Sequence, residues 1–212
     1  MTTKTQRPAT ELKLTDISRR FGQRTVFSGI SAEAFVGRSV VVAGPNGSGK
    51  TTLLKIIAGL LSPTTGDVNL TVDGNAVDND SRRGMLGYVS PDLVLYRELS
   101  GVENLQFFAQ VAGFEPTTEY LRELLTFVGL KGRGREFVGN YSSGMRQRLK
   151  FAFALLRRPP VLLLDEPTAN LDSAGVEMVR AVVKDQKKRG ILVIATNEPQ
   201  EVAWGDTVVQ LG

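Results

Sequence analysis

The segment Gly44-Pro45-Asn46-Gly47-Ser48-Gly49-Lys50-Thr51 carries the densest chemistry in the chain and fits G-x-x-x-x-G-K-[ST]. Glycines let a backbone curl until several N–H groups point inward at phosphate oxygens. A helix placed directly after such a loop adds its positive N-terminal end. Lys50 then offers a point charge to the β- and γ-phosphates of a nucleoside triphosphate. The Thr51 hydroxyl, with Thr52 beside it, offers a hard oxygen ligand for Mg²⁺. The pattern names neither the base nor the use made of the nucleotide.

A second concentration of reactive groups is Val161-Leu162-Leu163-Leu164-Asp165-Glu166. It reads as a buried strand ending in two acids. A strand beside the phosphate loop would deliver Asp165 to the metal. Glu166 would then face the γ-phosphate, where a carboxylate can orient and deprotonate water. Taken alone, Asp-Glu-Pro is also an ordinary start to a polar loop. The phosphate loop tips the reading toward chemistry.

Composition narrows the rest. The 212 residues hold no Cys and no His. That excludes a disulfide framework, a thiol nucleophile, a zinc finger and any imidazole base or ligand. Acid–base work falls to carboxylates, Lys or Tyr, and any metal should be a hard cation. Lys plus Arg number 26 against 22 acids, and the basic residues are spread as solvated faces, so no nucleic acid is expected. Residues 1–10 read as a polar tail without the apolar stretch of a signal peptide. The longest apolar runs are far below the roughly 20 residues of a membrane span, so direct insertion is not expected and a cytoplasmic location is.

These groups need a scaffold. Leu12, Leu14 and Ile17 suggest a first strand, and Ile30, Ala32 and Ala34 a later one with a single buried face. Ser39 to Ala43 and Ile191 to Ala195 are short apolar runs that suit strands buried on both faces. Leu53, Leu54, Ile57 and Leu61 lie on one face of a helix over Thr51 to Leu60. Val68, Leu70 and Val72 alternate before an Asp73-Gly74 turn. Helices are expected over Gly144 to Leu156 and Ser173 to Lys187, and a last strand over Thr207 to Leu211. Strands alternating with helices predict an α/β class with a largely parallel central sheet and an antiparallel N-terminal β region. Residues 93–137 read as all helix, a helical subdomain inserted into a domain spanning 11–212. Phe107, Phe108, Val111 and Phe114 are expected to be mostly core of that lobe. Leu93, Val94, Leu95 and Tyr96 are expected to form an exposed apolar contact.

Tyr141-Ser142-Ser143-Gly144-Met145-Arg146-Gln147-Arg148 resembles the L-S-G-G-Q signature of ATP-binding cassette (ABC) ATPases, with Ser142 and Gly144 matching and Tyr141, Ser143 and Met145 as variants. The resemblance extends over nearly the whole chain and implies a P-loop NTPase fold. Phe21 falls where that family stacks an aromatic ring on adenine. Pro167 to Asp172 is similar to the loop carrying the family's D-loop aspartate, here Asp172. The resemblance implies ATP and Mg²⁺ as cofactors and a second cassette, expected as a homodimer. In such a pair, ATP lies between the phosphate loop of one copy and Ser142, Ser143 and Gly144 of the other. It also implies separate transmembrane transporter subunits and a peripheral position on the inner face of the cell membrane. Similarity to export cassettes, including those of haem export, favours an exporter.

Two positions depart from the family. Pro91 stands where a hinge Gln is usual, leaving Ser90 or Asp92 as oxygen donors, with Asp92 taken as the candidate metal ligand. Asn197 follows Thr196 where a His is usual. Asn can donate a hydrogen bond to a γ-phosphate oxygen but cannot carry charge or relay a proton. Hydrolysis slower than in a fully equipped cassette is therefore expected, with Glu166 as its base. The competing readings are a soluble ABC protein outside transport and a slow nucleotide-dependent switch.

Overall fold

A computed structural model describes residues 10–212. The polar tail expected over 1–10 lies outside the described residues, except that Thr10 is already strand, paired with Val72. The elements in chain order are β1 (Thr10–Phe21), β2 (Arg24–Phe35), β3 (Ser39–Ala43), α1 (Lys50–Ile57), β4 (Thr65–Val72), β5 (Asn75–Val77), α2 (Asn79–Arg82) and β6 (Leu86–Val89). They continue with α3 (Gly101–Val111), α4 (Thr118–Phe127), α5 (Ser143–Leu155), β7 (Val161–Asp165), α6 (Ser173–Arg189), β8 (Ile191–Thr196), α7 (Pro199–Val202) and β9 (Thr207–Gln210).

Two sheets form. One is antiparallel in the order β2-β1-β4-β5, and the other runs β6-β7-β8-β3-β9 with all its pairs parallel. Every residue of β3, β7 and β8 is buried, which is why they read as unbroken apolar runs. Their side chains alternate between two cores. Val41, Leu162, Leu164, Leu192 and Ile194 face α5, α6 and the helical lobe. Val40, Val42, Leu163, Ile191 and Val193 face α1 and the antiparallel sheet. The parallel sheet is thus the middle layer.

Register fixes where chemistry can occur. β3, β7 and β8 run parallel, so Ala43, Asp165 and Thr196 finish along one carboxyl edge. Ligands of open parallel sheets bind outside that edge. β8 pairs between β7 and the phosphate-loop strand β3, yet Asp165 at the end of β7 still reaches Thr51 of the loop.

Asp73 and Gly74 both have positive φ, 50° and 79°, the backbone that a two-residue hairpin turn needs between β4 and β5. α1 stops at Ile57 rather than Leu60, and Gly59 takes φ 71° just beyond its C-cap. β6, α2 and α7 are short elements that the apolar pattern did not reveal.

The inserted lobe is not all helix. α3 and α4 are separate, and residues 93–100 form turns and loop. A capping box at Ser100 and Glu103 starts α3, and a bridge between Ser100 and Phe137 closes the neck of the insertion. Asn104, fully buried, donates to the Tyr96, Leu99 and Ser100 carbonyls and accepts from the Tyr96 N–H, holding the approach to α3 as loop. Three apolar assignments change. Val111, read as lobe core, is 73% exposed and Phe107 is partly exposed. Leu95, read as exposed, is buried, whereas Val94 (79% exposed) and Tyr96 do face outward. Among the described residues no helix is long and apolar enough to cross a membrane.

Candidate functional site

Gly49 joins β3 and the phosphate loop to α1. It has φ 101°, and a Cβ there would stand 2.5 Å from Val26 Cγ1, so only glycine fits. This conformation starts α1 at Lys50 with its free N–H groups turned into the loop. Lys50 is buried, and its Nζ donates to the carbonyls of Gly44 (2.9 Å) and Pro45 (3.1 Å), which hold the ammonium over the loop. Ser48 Oγ is buried without a partner among the described residues.

A cleft of about 400 Å³ opens above this loop, lined by Phe21, Arg24, Val26, Asn46, Gly47, Gly49, Lys50, Thr51, Thr52 and Glu166. Most of the predicted phosphate-loop residues therefore share one space with Phe21 and Glu166. Gly44 and Pro45 line a neighbouring cleft with Asn197. Phe21 sits at the tip of the β1–β2 hairpin, half exposed, with the Arg19 guanidinium 4.3 Å from its ring centre. Arg24, opposite Phe21 in the hairpin register, was not singled out by its sequence context, since the hairpin pairing alone brings it to the cleft.

Asp165 stands at the floor, 2% exposed. The Thr51 hydroxyl donates to its Oδ1 at 3.1 Å and the Tyr88 hydroxyl to its Oδ2 at 3.0 Å. Burial pushes the Asp165 carboxyl up, and the two hydroxyls pull it down. Burial also raises the Tyr88 phenol, with the Asp165 charge adding to it, so Tyr88 remains a neutral donor. Tyr88 belongs to β6, the neighbour of β7, and sequence reasoning had not given it a role at the site.

Glu166 follows Asp165 with φ 47°, a left-handed backbone that turns its side chain out of the sheet into the cleft. Its N–H donates to Ala195 O at 2.9 Å. Asn197 Nδ2 donates to Asn46 Oδ1 at 3.2 Å, so the residue after β8 touches the phosphate loop.

Asp92 is not brought to this group. Its carboxylate is taken by Lys55 Nζ at 2.6 Å on the surface, and that hydrogen bond and charge hold it below the usual carboxylate range. Lys150 Nζ meanwhile donates to the carbonyls of Ser90 (3.1 Å) and Pro91 (2.7 Å). Asp92, expected as a metal ligand, thus pairs with Lys55 here, and the second hydrogen-bond partner of Asp165 is Tyr88.

The signature residues lie elsewhere. Ser142 caps α5 by accepting from the Met145 N–H, and a Cβ on Gly144 would meet Asn170 O at 3.2 Å. Ser143 lines a separate cleft with Arg146, Gln147 and Asn170. Asp172 caps α6, accepts from Gly175 N–H, and pairs with Arg148 at 2.7 Å. None of these four lines the phosphate-loop cleft.

A family model described as ABC transporter matches residues 27–169, which include the phosphate loop, the signature segment and the acid pair. The chain belongs to the ABC transporter family. This ABC chain is 31% identical to the linearmycin resistance ATP-binding protein LnrL of Bacillus subtilis over 194 residues, covering 90% of this chain and 62% of LnrL. It is 33% identical to the cytochrome c biogenesis ATP-binding export protein CcmA of Haemophilus influenzae, covering 91% of this chain and 90% of CcmA. The ABC chain also superposes on the ATP-binding cassette MJ0796, solved as a dimer bound to ADP and Pi, with TM-score 0.80, 26% identity and 94% of each chain covered.

Proposed function

We propose that the chain is the ATP-binding and ATP-hydrolysing subunit of an ABC membrane transporter, working as a head-to-tail pair around Mg-ATP. The observation that carries this is the division of the site. Lys50, Thr51, Glu166 and Phe21 line one cleft, while Ser143, at the start of α5 between Ser142 and Gly144, lines a separate one. A single chain thus presents a phosphate cradle on one cleft and the anion-binding N-terminal end of the signature helix on another. A second copy turned end to end supplies each with the other.

In that pair Phe21 stacks on the adenine and the loop N–H groups and Lys50 bind the phosphates. Thr51 and Asp165 are the protein's hard oxygen ligands for Mg²⁺. No group of three acidic side chains lies near enough to hold a metal among the described residues, so two protein ligands plus phosphate and water oxygens suit this ion. Mg²⁺ when bound supplies charge neutralisation at the transferring phosphoryl group. Glu166 orients and deprotonates the attacking water, and Asn197 donates to a γ-phosphate oxygen. Ser142 and the Gly144 N–H reach the same phosphate from the other copy, so hydrolysis loosens the pair.

The export in CcmA's name supports an exporter, and a place at the inner membrane face through transmembrane subunits accords with a transporter ATP-binding subunit. The test is Glu166→Gln. It should retain Mg-ATP, lose turnover and shift to twice the monomer mass by size measurement. Failure to pair at high protein concentration opposes the composite site. Turnover at the wild-type level opposes Glu166 as the base. A slow nucleotide switch is the second reading, favoured by Asn197 and by Pro91 at the hinge; turnover that stays marginal even with the membrane partners present supports it.

A further inference from the structure

We infer that Glu201 is a positioning residue, whose buried carboxylate ties the loop after Glu166 to the segment after Asn197, so that both side chains are held in one frame. The inference rests on the proposed roles of Glu166 and Asn197.

Glu201 is 2% exposed. Its Oε1 accepts from the Thr168 N–H at 3.2 Å and also from the Thr168 hydroxyl. Its Oε2 is buried with no hydrogen-bond partner among the described residues. A carboxylate satisfied on one oxygen only is a poor choice for stability, since an apolar side chain would avoid the desolvation cost. The position of the cost is informative. Thr168 lies in the turn that begins at Glu166. Glu201 lies on α7, which begins just past Asn197.

Neither segment is stiff by itself. α7 has four residues, too few for a helix to hold its own shape. The loop after β7 contains two non-glycine residues with left-handed backbone, Glu166 (φ 47°) and Asn170 (φ 62°), and such residues persist only when the surroundings over-determine them. Its anchors are few. Glu166 N–H holds Ala195 O at one end, and at the other Asp172 caps α6 and pairs with Arg148. Between them the Thr168–Glu201 contact is the loop's side-chain anchor. It reaches across from the β7 loop to the β8 loop, the two that carry the water-orienting acid and the phosphate donor. The β7–β8 register aligns these loops at their strand ends, and Glu201 maintains that alignment beyond the last ladder bond.

The acceptor oxygen is what matters, which makes the conservative variant diagnostic. Glu201→Gln keeps an Oε1 that accepts both Thr168 bonds; Glu201→Ala removes it. With full-length protein, Glu201→Ala should lower kcat about 10- to 100-fold, as expected for slight misplacement of reacting groups, while affinity for a fluorescent ATP analogue with Mg²⁺ changes less than about twofold. Glu201→Gln should stay within about threefold of wild-type kcat, and the Thr168→Val/Glu201→Ala double variant should be no slower than Glu201→Ala. Wild-type kcat in Glu201→Ala overturns the inference. So does a parallel fall of kcat and nucleotide affinity, which marks a role in folding alone. If Glu201→Ala does not fold, Thr168→Val carries the test, and wild-type kcat there overturns the inference equally. Glu166→Gln keeps the two failures apart: turnover in that variant refutes the base, whereas its loss together with wild-type kcat in Glu201→Ala refutes only the tie.

Discussion

Replacing Tyr88 by Phe removes one oxygen and leaves the ring in its packing. That oxygen donates to Asp165 Oδ2 at 3.0 Å, and the other carboxylate oxygen accepts from Thr51 at 3.1 Å. With Asp165 2% exposed, water has little access to replace the lost donor. A hydrogen bond to a charged group contributes about 1.5–3 kcal/mol, and because the phenol's own burial cost disappears with it, the expected loss lies near the lower bound, about 1.5–2 kcal/mol. Thr51→Val removes the other donor at similar cost. With both gone, the two losses fall on one buried carboxylate, which burial already disfavours as a charge, so they do not add. The double variant should be more stable than the sum predicts by about 0.5–1 kcal/mol. Urea unfolding of the four proteins at neutral pH without nucleotide measures this, provided the m-values agree. A Tyr88→Phe loss below about 0.5 kcal/mol, the size of an ordinary surface substitution, refutes the claim that Tyr88 holds Asp165. Strict additivity refutes the claim that the two hydroxyls share one charge.

Three further outcomes are expected. Asp206 is held at about 2: burial pushes it up, but hydrogen bonds from Lys187 and Ser39 and the Lys187 charge outweigh that. Its folded value lies below the unfolded value of about 3.9, so its stabilisation is present above pH ~4 and is lost as pH falls toward 2. Asp206→Asn should thus cost about 1 kcal/mol at pH 7 after solvent screening and converge with wild type near pH 2; an equal gap at both pH values refutes the linkage. Gly49→Ala puts a Cβ 2.5 Å from Val26 Cγ1 and 2.9 Å from Phe27 Cδ1 on a left-handed backbone. It should lose at least about 2 kcal/mol and weaken ATP-analogue binding, and wild-type melting would contradict the strain. Asn104→Ala frees the carbonyls of Tyr96, Leu99 and Ser100 and should cost about 2–4 kcal/mol in urea unfolding, with a loss under about 1 kcal/mol counting against its role at the neck of the lobe.

Much of the scaffold was legible because its signals are local. The runs that became β3, β7 and β8 are buried on both faces, so their apolar character survives without reference to neighbours. β6 escaped notice because its four residues alternate between partly and fully buried, and Gly87 interrupts the apolar pattern. Residues 93–100 were misread as helix for a different reason. The apolar run is real, but Asn104 captures the carbonyls at 96, 99 and 100, and the capping box starts α3 only at Gly101. Val111 obeys the helical period and still faces outward, since the period identifies a face without saying what covers it.

The phosphate loop is determined by the sequence itself. Gly49 must be glycine for its backbone, Lys50 must follow at the helix start, and these are neighbours along the chain. The same holds for Asp165 and Glu166, which a buried strand delivers together to one sheet edge. Tertiary structure alone decided which groups meet across that edge. Tyr88 reaches Asp165 because β6 happens to pair with β7, and Asp92, a few residues on, is turned to Lys55 instead. Glu201 finds Thr168 only once β8 lies beside β7. The signature at Ser142 stands apart from the cleft within its own chain. Backbone conformation is a short-range property and can be read from a few residues. A side-chain hydrogen bond over distances of about 3 Å depends on register and strand order between segments far apart in the chain, and the energy that selects that register comes from burying the whole sheet.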